Sequence, residues 1–388
     1  MKAIQKGIIM LVDAALTGQH RILPDGVRLE DLVQIAQRHN IALMAYYGAV
    51  NCGIDRSHEQ MQRLFQLAAV SMATTEHQKR ENMRLLSAFA AAQIDYAQLK
   101  GAILRPYYPV TEMRTMGDLD VLIRMEQYEK IQNVMEDLGY HFVREYNHEL
   151  VWKHNIAEVE LHRWLADCDD RLASGYYADG WAFFKQENGR YMMSPEDTCV
   201  FLFVHFSKHY RFGGIGIKHL TDLWVYQKGH PNLDQSYIQR ELEKIRLDEF
   251  YRNVCRTMDA WFAGGPWDPV IWQITTEIIE SGQYGLRQKE EAASVLCKGS
   301  ENIHRARMCY FWNRLFPGFF QMKQTYPLLK RFPVLLPIFW VIRWGRLLIK
   351  KPEKLLRLLR KQEGYSTDVL NERKKMLEMV GLEFEKQE

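Results

Sequence analysis

The chain has 388 residues, of which 47% are hydrophobic and 26% charged, and its formal net charge is only +3. This length calls for two or three compact units with sizeable cores, and the charge balance excludes a molecule that binds polyanions over its whole surface. The six cysteines, Cys52, Cys168, Cys199, Cys255, Cys297 and Cys309, stand singly with no Cys-x-x-Cys pair, which excludes a disulfide framework or a cysteine zinc site and suits a reducing cytosol.

The first apolar run, Ile8 to Val12, ends at Asp13 and is too short for a secretory signal. No stretch reaches the roughly 18 uncharged apolar residues that a membrane span requires, so a cytoplasmic protein is expected. Residues 1–92 read as helices. Leu29, Leu32, Val33, Ile35 and Ala36 recur at helical spacing after the turn Leu23-Pro24-Asp25-Gly26. A longer pattern runs from Met61 through Leu64, Phe65, Ala68, Met72, Leu85 and Leu86 to Phe89. Both are core-forming faces.

The texture changes at Ile94. Ile94 to Leu99 is short and partly alternating, as a strand is, and Lys100-Gly101 ends it. Ala102 to Tyr108 reads as a short helix stopped by Pro109. A strand through Asp118 and Asp120 follows, then an amphipathic helix from Gln127 to Leu138 with Gly139 as its C-terminal cap. Three strand-like runs come next: His141 to Tyr146, Leu150 to Lys153 and Ala157 to His162. This order makes an α+β protein, with a small mixed β-sheet flanked by N- and C-terminal helical regions.

Helical patterns resume at Ser194-Pro195-Glu196-Asp197, where Ser194 is a good N-cap with acids in the first turn. They continue through Lys218 to Tyr226, Leu233 to Ile245, Phe250 to Phe262 and Ile271 to Ser281. Four regions are therefore expected: helical over 1–92, the α/β core over 93–192, helical over 193–318, and a distinct C-terminal region over 319–388. In the last of these, Phe332 to Ile342 lacks charge and is broken by Pro333 and Pro337. Arg343, Arg346, Lys350, Lys351, Lys354, Arg357, Arg360 and Lys361 then interleave with Leu347, Leu348, Leu355, Leu356 and Leu358. That is the pattern of a basic amphipathic helix, suited to an anionic membrane surface or a nucleic acid.

The chemistry centres on Met116-Gly117-Asp118-Leu119-Asp120-Val121. In a strand, alternate residues face one side, so Asp118 and Asp120 project together with Cα atoms about 6.6 Å apart. Two bare carboxylates that close raise each other's pKa, and a hard cation such as Mg²⁺ resolves the conflict because it prefers oxygen ligands. Asp-x-Asp alone also describes a solvated strand start. Glu158-Val159-Glu160-Leu161-His162 adds a second set, with Glu158, Glu160 and His162 on one face while Val159 and Leu161 pack inward. A third carboxylate on a neighbouring strand is what a two-cation phosphoryl-transfer site requires. At the turn after the first strand, Gly101 lets backbone N–H groups approach phosphate, and Lys100 and Arg114 add positive charge.

Elsewhere the signals are weaker. His205 and His209 have the spacing of a zinc pair, but Phe206-Ser207-Lys208 between them lacks the glutamate of a metalloprotease helix. Buried or capping histidines account for them, as does a nucleotide cleft lined by His205, Lys208 and His209. Gly213-Gly214-Ile215-Gly216 precedes no Gly-Lys-Ser/Thr and reads as a helix connection. Lys218 and Asp222 read as a surface ion pair one turn apart.

Leu99-Lys100-Gly101, Arg114 to Ile123 and Glu160-Leu161-His162 together resemble the uncharacterised nucleotidyltransferase family of the DNA polymerase β superfold. His205 to His209, His219, Asp222 and the segment from Tyr326 to Arg343 fit the helical region of the same family. The resemblance implies a nucleotidyltransferase core that moves a nucleoside monophosphate from NTP to an acceptor, using Mg²⁺ or Mn²⁺. It implies that Asp118 and Asp120 are shared metal ligands and that Glu160, rather than Glu158, is the third acid, holding the catalytic metal and taking the acceptor proton. Lys100, Gly101, Arg114, Gly117 and His162 would contact the nucleotide, with His162 alternatively holding Glu160 in place. One departure stands out: better-known members of the superfold carry Gly-Ser where this chain has Lys100-Gly101. The rival implication is a catalytically silent protein that binds a nucleotide or a partner on the same fold.

Overall fold

The computed structural model describes residues 2–146, 148–166, 170–187, 190–282, 328–350 and 367–383, with isolated positions between 308 and 326. Cys168, Cys297 and Cys309 lie outside the described residues, as do Lys351, Lys354, Arg357, Arg360 and Lys361 with the leucines between them. The chain divides into two compact units, Met1–Leu286 and Arg287–Glu388.

Four helices open the first unit: α1 (Lys2–Thr17), α2 (Leu29–Arg38), α3 (Ala42–Asn51) and α4 (Glu59–Ala91). The sheet region follows as β1 (Tyr96–Gln98), α5 (Gly101–Leu104), β2 (Leu119–Ile123), α6 (Tyr128–Asp137), β3 (His141–Glu145), β4 (Glu149–His154) and β5 (Ala157–His162). These strands form one mixed sheet in the order β1-β2-β5-β4-β3. β2 runs parallel to β5 with Asp120 opposite Glu160, and the other neighbours are antiparallel.

Strand alternation decides what each face does. Leu119, Val121, Leu150, Trp152, Val159 and Leu161 form one core with Leu85 and Phe89 of α4 and Ile131 and Met135 of α6. Each such side chain contributes about 1.5–3 kcal/mol when fully buried. A one-residue slip would drive Asp120 and Glu160 into that core, so the register is strongly specified. The polar face is left to carry the acids.

Beyond β5 come α7 (Arg171–Tyr177), a hairpin of β6 (Phe184–Glu187) and β7 (Arg190–Met193), and the helices α8 (Pro195–Phe212), α9 (Ile217–Gly229), α10 (Gln235–Lys244), α11 (Asp248–Phe262) and α12 (Pro269–Ser281). The described elements between β5 and α8 are short. Asp170 caps α7 by accepting from the Ala173 N–H at 3.0 Å. Ser194 caps α8 in the same way, accepting from the Asp197 N–H at 3.0 Å. Gly213, with φ +74°, ends α8 in the left-handed conformation that glycine adopts freely, and the glycine-rich stretch leads straight into α9.

In the second unit, a helix spans Leu336–Lys350, starting well before the basic residues expected to define it. Pro337 falls in its first turn, where a missing N–H costs no hydrogen bond, so the proline starts the helix instead of breaking it. Among the described residues, no helix is long and apolar enough to cross a membrane.

Candidate active site

A cleft of about 340 Å³ lies between the polar face of the sheet and helices α8 and α9. Asp118, Asp120 and Glu160 all line it. Asp118 does so from a bend just ahead of β2, not from within the strand as alternation suggested. The reason is that the ladder to β5 begins only at Leu119, opposite Val159. The preceding loop is held from α4, where Gln78 donates to the Gly117 carbonyl at 3.3 Å.

Asp120 is the most tightly held of the three. Its Oδ1 accepts from Lys100 Nζ at 2.5 Å and from His162 Nε2 at 2.8 Å. Burial works against its charge, but the Lys100 ammonium and His162 hold it well below the usual carboxylate range. The same contacts act on Lys100: burial opposes its charge, and Asp120, Glu160 and Asp118 overcome that and raise it above an ordinary lysine. Glu160 stands opposite Asp120, and a carboxylate oxygen of each lies within 4.8 Å of the other and of a His162 nitrogen. Burial, reinforced by the Asp118 and Asp120 charges, pushes Glu160 up to about 9. Burial and then Asp120 raise Asp118 as well.

His162 was expected at the nucleotide. It is only 3% exposed, and its Nε2 donates to the Asp120 carboxylate. Burial and the nearby Lys100 hold its pKa below normal. Glu158 lies away from this cluster, paired with Arg144 at 3.2 Å and Lys153 at 3.9 Å.

Glu149 was missed. It opens β4 directly opposite His162, lines the cleft, and lies 3.1 Å from His148 Nε2. Burial would raise it, yet the hydrogen bond and charge of His148 hold it low. The sequence reading started that strand at Leu150, one residue late. Extending the alternation of the apolar run backwards would have placed an acid there.

Lys100 and Gly101 form the floor. Lys100 has φ +46°, a strained value for a residue with a side chain. A Cβ on Gly101 would meet Met116 Cγ at 3.0 Å and Arg114 Nη1 at 3.4 Å, so close packing calls for glycine there. α5 is a single turn and its dipole is small. Gly117 is exposed, and a Cβ there would meet nothing within 4 Å.

Arg114 lines the cleft but is buried and committed. Its Nε donates to Asp222 Oδ1 at 2.7 Å, and Tyr108 Oη donates to the same oxygen at 2.6 Å. Asp222 is therefore a buried partner of Arg114, and the surface pair with Lys218 is corrected: the long-range cation reaches it where the helical neighbour does not. Lys218 faces the cleft instead, its pKa lowered to about 8 by burial first and then by Arg114.

His205 and His209 line the helical wall together with His219, which sequence spacing alone could not bring to them. The ring centroids of His205 and His209 are 4.4 Å apart, and those of His209 and His219 are 4.6 Å apart. Burial, with nearby lysines and the neighbouring rings adding to it, keeps His205 and His219 well below the usual histidine range and lowers His209 to about 3. His219 Nδ1 accepts from the Gly216 N–H at 3.0 Å, so its proton sits on Nε2. That nitrogen is a donor, which leaves two histidines with a free lone pair, fewer than a zinc shell needs.

A model of the family described as uncharacterised nucleotidyltransferase matches residues 25–263, a span that contains every cleft residue named above. Among solved structures, the chain is similar to the solution structure of the antibiotic-resistance factor ANT(2'')-Ia. The identity is 14%, the match covers 47% of this chain and 95% of that chain, and the TM-score is 0.32. No curated protein matches the chain.

Proposed function

The chain belongs to the uncharacterised nucleotidyltransferase family, and we propose that it transfers a nucleoside monophosphate from an NTP to an acceptor hydroxyl or phosphate, releasing pyrophosphate. The observation that carries this reading is the convergence of Asp118, Asp120 and Glu160 on one cleft. Asp120 is buried and Asp118 and Glu160 are half-buried, and like-charged carboxylates so placed are relieved by a shared proton or a cation. The donor set is all oxygen, and no cysteine lines the cleft among the described residues, which fits Mg²⁺ or Mn²⁺. Asp118, Asp120 and Glu160 would hold it. Bound there, the cation supplies charge neutralisation for the phosphates and acidifies the attacking oxygen.

The chain's own groups do the remaining work. Lys100 and His162 fix the Asp120 carboxylate in place. Glu160 takes the acceptor proton as the acceptor oxygen attacks the α-phosphorus. The bond from that phosphorus to the bridging oxygen breaks, and pyrophosphate leaves with the electron pair. From the helical wall, Lys218 and the Nε2–H of His219 donate to phosphate oxygens. Gly117 permits close backbone approach, and Arg114 holds the loop ahead of it against α9 by way of Asp222.

Calorimetry with a nonhydrolysable NTP, with and without EDTA, combined with pyrophosphate release from each NTP, tests the proposal. Divalent-dependent binding and release support it, and equal NTP affinity in EDTA overturns the metal assignment. The second reading, a silent nucleotide-binding protein, is favoured by one feature: Lys100 stands where the superfold carries a small residue, and its ammonium engages Asp120. Divalent-dependent NTP binding without pyrophosphate release would select it.

A further inference from the structure

A second donor set lies beside the three acids and differs from them in chemistry. Glu149 opens β4 directly opposite His162 on β5. His148 precedes it, with its carbonyl accepting from the Arg163 N–H at 2.8 Å, so the strand pairing also fixes the backbone there. One nitrogen of each imidazole and one carboxylate oxygen of Glu149 all lie within 4.8 Å of one another. Glu149 and His162 are buried, unlike the members of a solvated surface cluster.

The distances suit ligands of one ion. His148 Nε2 and Glu149 Oε2 are 3.1 Å apart, and two donors about 2.0–2.1 Å from a tetrahedral zinc stand about 3.3 Å from each other. His162 spends its Nε2–H on Asp120 Oδ1 at 2.8 Å, so the neutral ring keeps its lone pair on Nδ1. A histidine oriented by a carboxylate in this way is the usual form of a metal-ligating imidazole. Two cavities meet at the set. His148 and Glu149 line the cleft, while His148 and His162 line a smaller cavity of about 30 Å³, room for a small ion with a water. Lys100 lines both, but its ammonium is engaged by Asp120.

We propose that His148, Glu149 and His162 bind a zinc ion, separate from the cation assigned to Asp118, Asp120 and Glu160. Two imidazoles and a carboxylate form a set that zinc takes readily, whereas Mg²⁺ prefers oxygen ligands alone. Three protein ligands leave a fourth position for a water or another oxygen ligand on the β4 side of the cleft. His162 then links the two sites, with Nε2 on Asp120 and Nδ1 on the zinc. The assignment does not rest on nucleotidyl transfer, and it holds equally for a silent nucleotide-binding protein.

The full chain, stripped of metal with a chelator and freed of it, is dialysed against Zn²⁺ in excess Mg²⁺, which fills an all-oxygen site first. Elemental analysis should find about one equivalent of zinc retained. Glu149→Gln and His148→Gln should each weaken zinc binding by about tenfold or more, with circular dichroism unchanged. Asp118→Asn should retain zinc as the parent does. Co²⁺ in place of zinc should give the strong visible absorption of tetrahedral coordination in the parent, and His148→Gln should abolish it. The half-buried His148 keeps the test valid should Glu149→Gln fold poorly. The proposal is overturned if no zinc is retained in excess Mg²⁺, or if both variants hold zinc as tightly as the parent. Loss of zinc in Asp118→Asn overturns it too, because the ion then belongs to the three acids.

Discussion

Asp120 on β2 and Glu160 on β5 are register partners in a parallel pair, so two acids stand side by side on the cleft face of the sheet. Like charges directly opposite one another destabilise a sheet; the Lys100 ammonium on Asp120 offsets part of that, and the proposed cation would offset the rest. Glu158 shares the face but is engaged by Arg144 and Lys153. Glu160→Gln keeps size and hydrogen bonding while removing the charge. It is expected to cut pyrophosphate release by a factor on the order of 10² or more, with the melting temperature retained. Glu158→Gln is expected to stay close to the parent, and the reverse ranking would reassign the third acid.

A different outcome is expected at Lys100, whose ammonium and His162 share one oxygen of Asp120. Removing one partner of a buried pair leaves the other charge uncompensated, at a cost of about 3–5 kcal/mol. Lys100→Met should therefore lower the melting temperature of the EDTA-treated protein, and added Mg²⁺ should restore much of the loss. A melting temperature unaffected by the substitution would show that the pair does not hold the carboxylates together.

The sheet was largely legible because its signal is local. Ala157 to His162 alternates cleanly and forms β5 over that span, and the same alternation put Glu160 and His162 on the side opposite Val159 and Leu161. Asp118 fell outside its strand because strand length depends on a partner that the local pattern does not contain. The meeting of Arg114 with Asp222, and of His219 with His205 and His209, joins groups far apart in the chain, and nothing in local spacing encodes either. Lys218 and Asp222 show the reverse error, since their helical spacing suggested a pair that a buried arginine preempts.

That arginine gives a third expectation. Arg114 uses Nε on Asp222 and Nη1 on the Thr115 carbonyl, at 2.7 and 2.5 Å. A lysine cannot reproduce two such bonds from one side chain. Arg114→Lys and Asp222→Asn should each lower the urea midpoint, by about 3–5 kcal/mol in free energy. The double variant should lose less than the sum. Additive losses would mean that the two residues act separately.

The last expectation concerns pH and His39, at the end of α2. Its Nδ1 accepts from the Ile217 N–H at 3.2 Å, and its Nε2 donates to the Ile279 carbonyl at 2.9 Å. One ring thus ties α2 to α9 and α12. Only the neutral imidazole serves both bonds, because a proton on Nδ1 would face another N–H. Burial, opposed by the Ile279 carbonyl and aided by Arg38, lowers its pKa to about 4. In the unfolded chain it titrates near 6.5. Between those values the unfolded state binds the extra proton, so stability is full above pH 6.5 and is lost as pH falls toward 4. The loss is on the order of 3 kcal/mol for this one group. His205, His209 and His219 are lowered too and act in the same direction. His39→Gln keeps one donor and one acceptor but cannot titrate. Urea unfolding at a series of pH values should therefore show a slope shallower by about 1.4 kcal/mol per pH step within that window. Parallel curves for the variant and the parent would mean that His39 takes up its proton in the folded chain as readily as in the unfolded one.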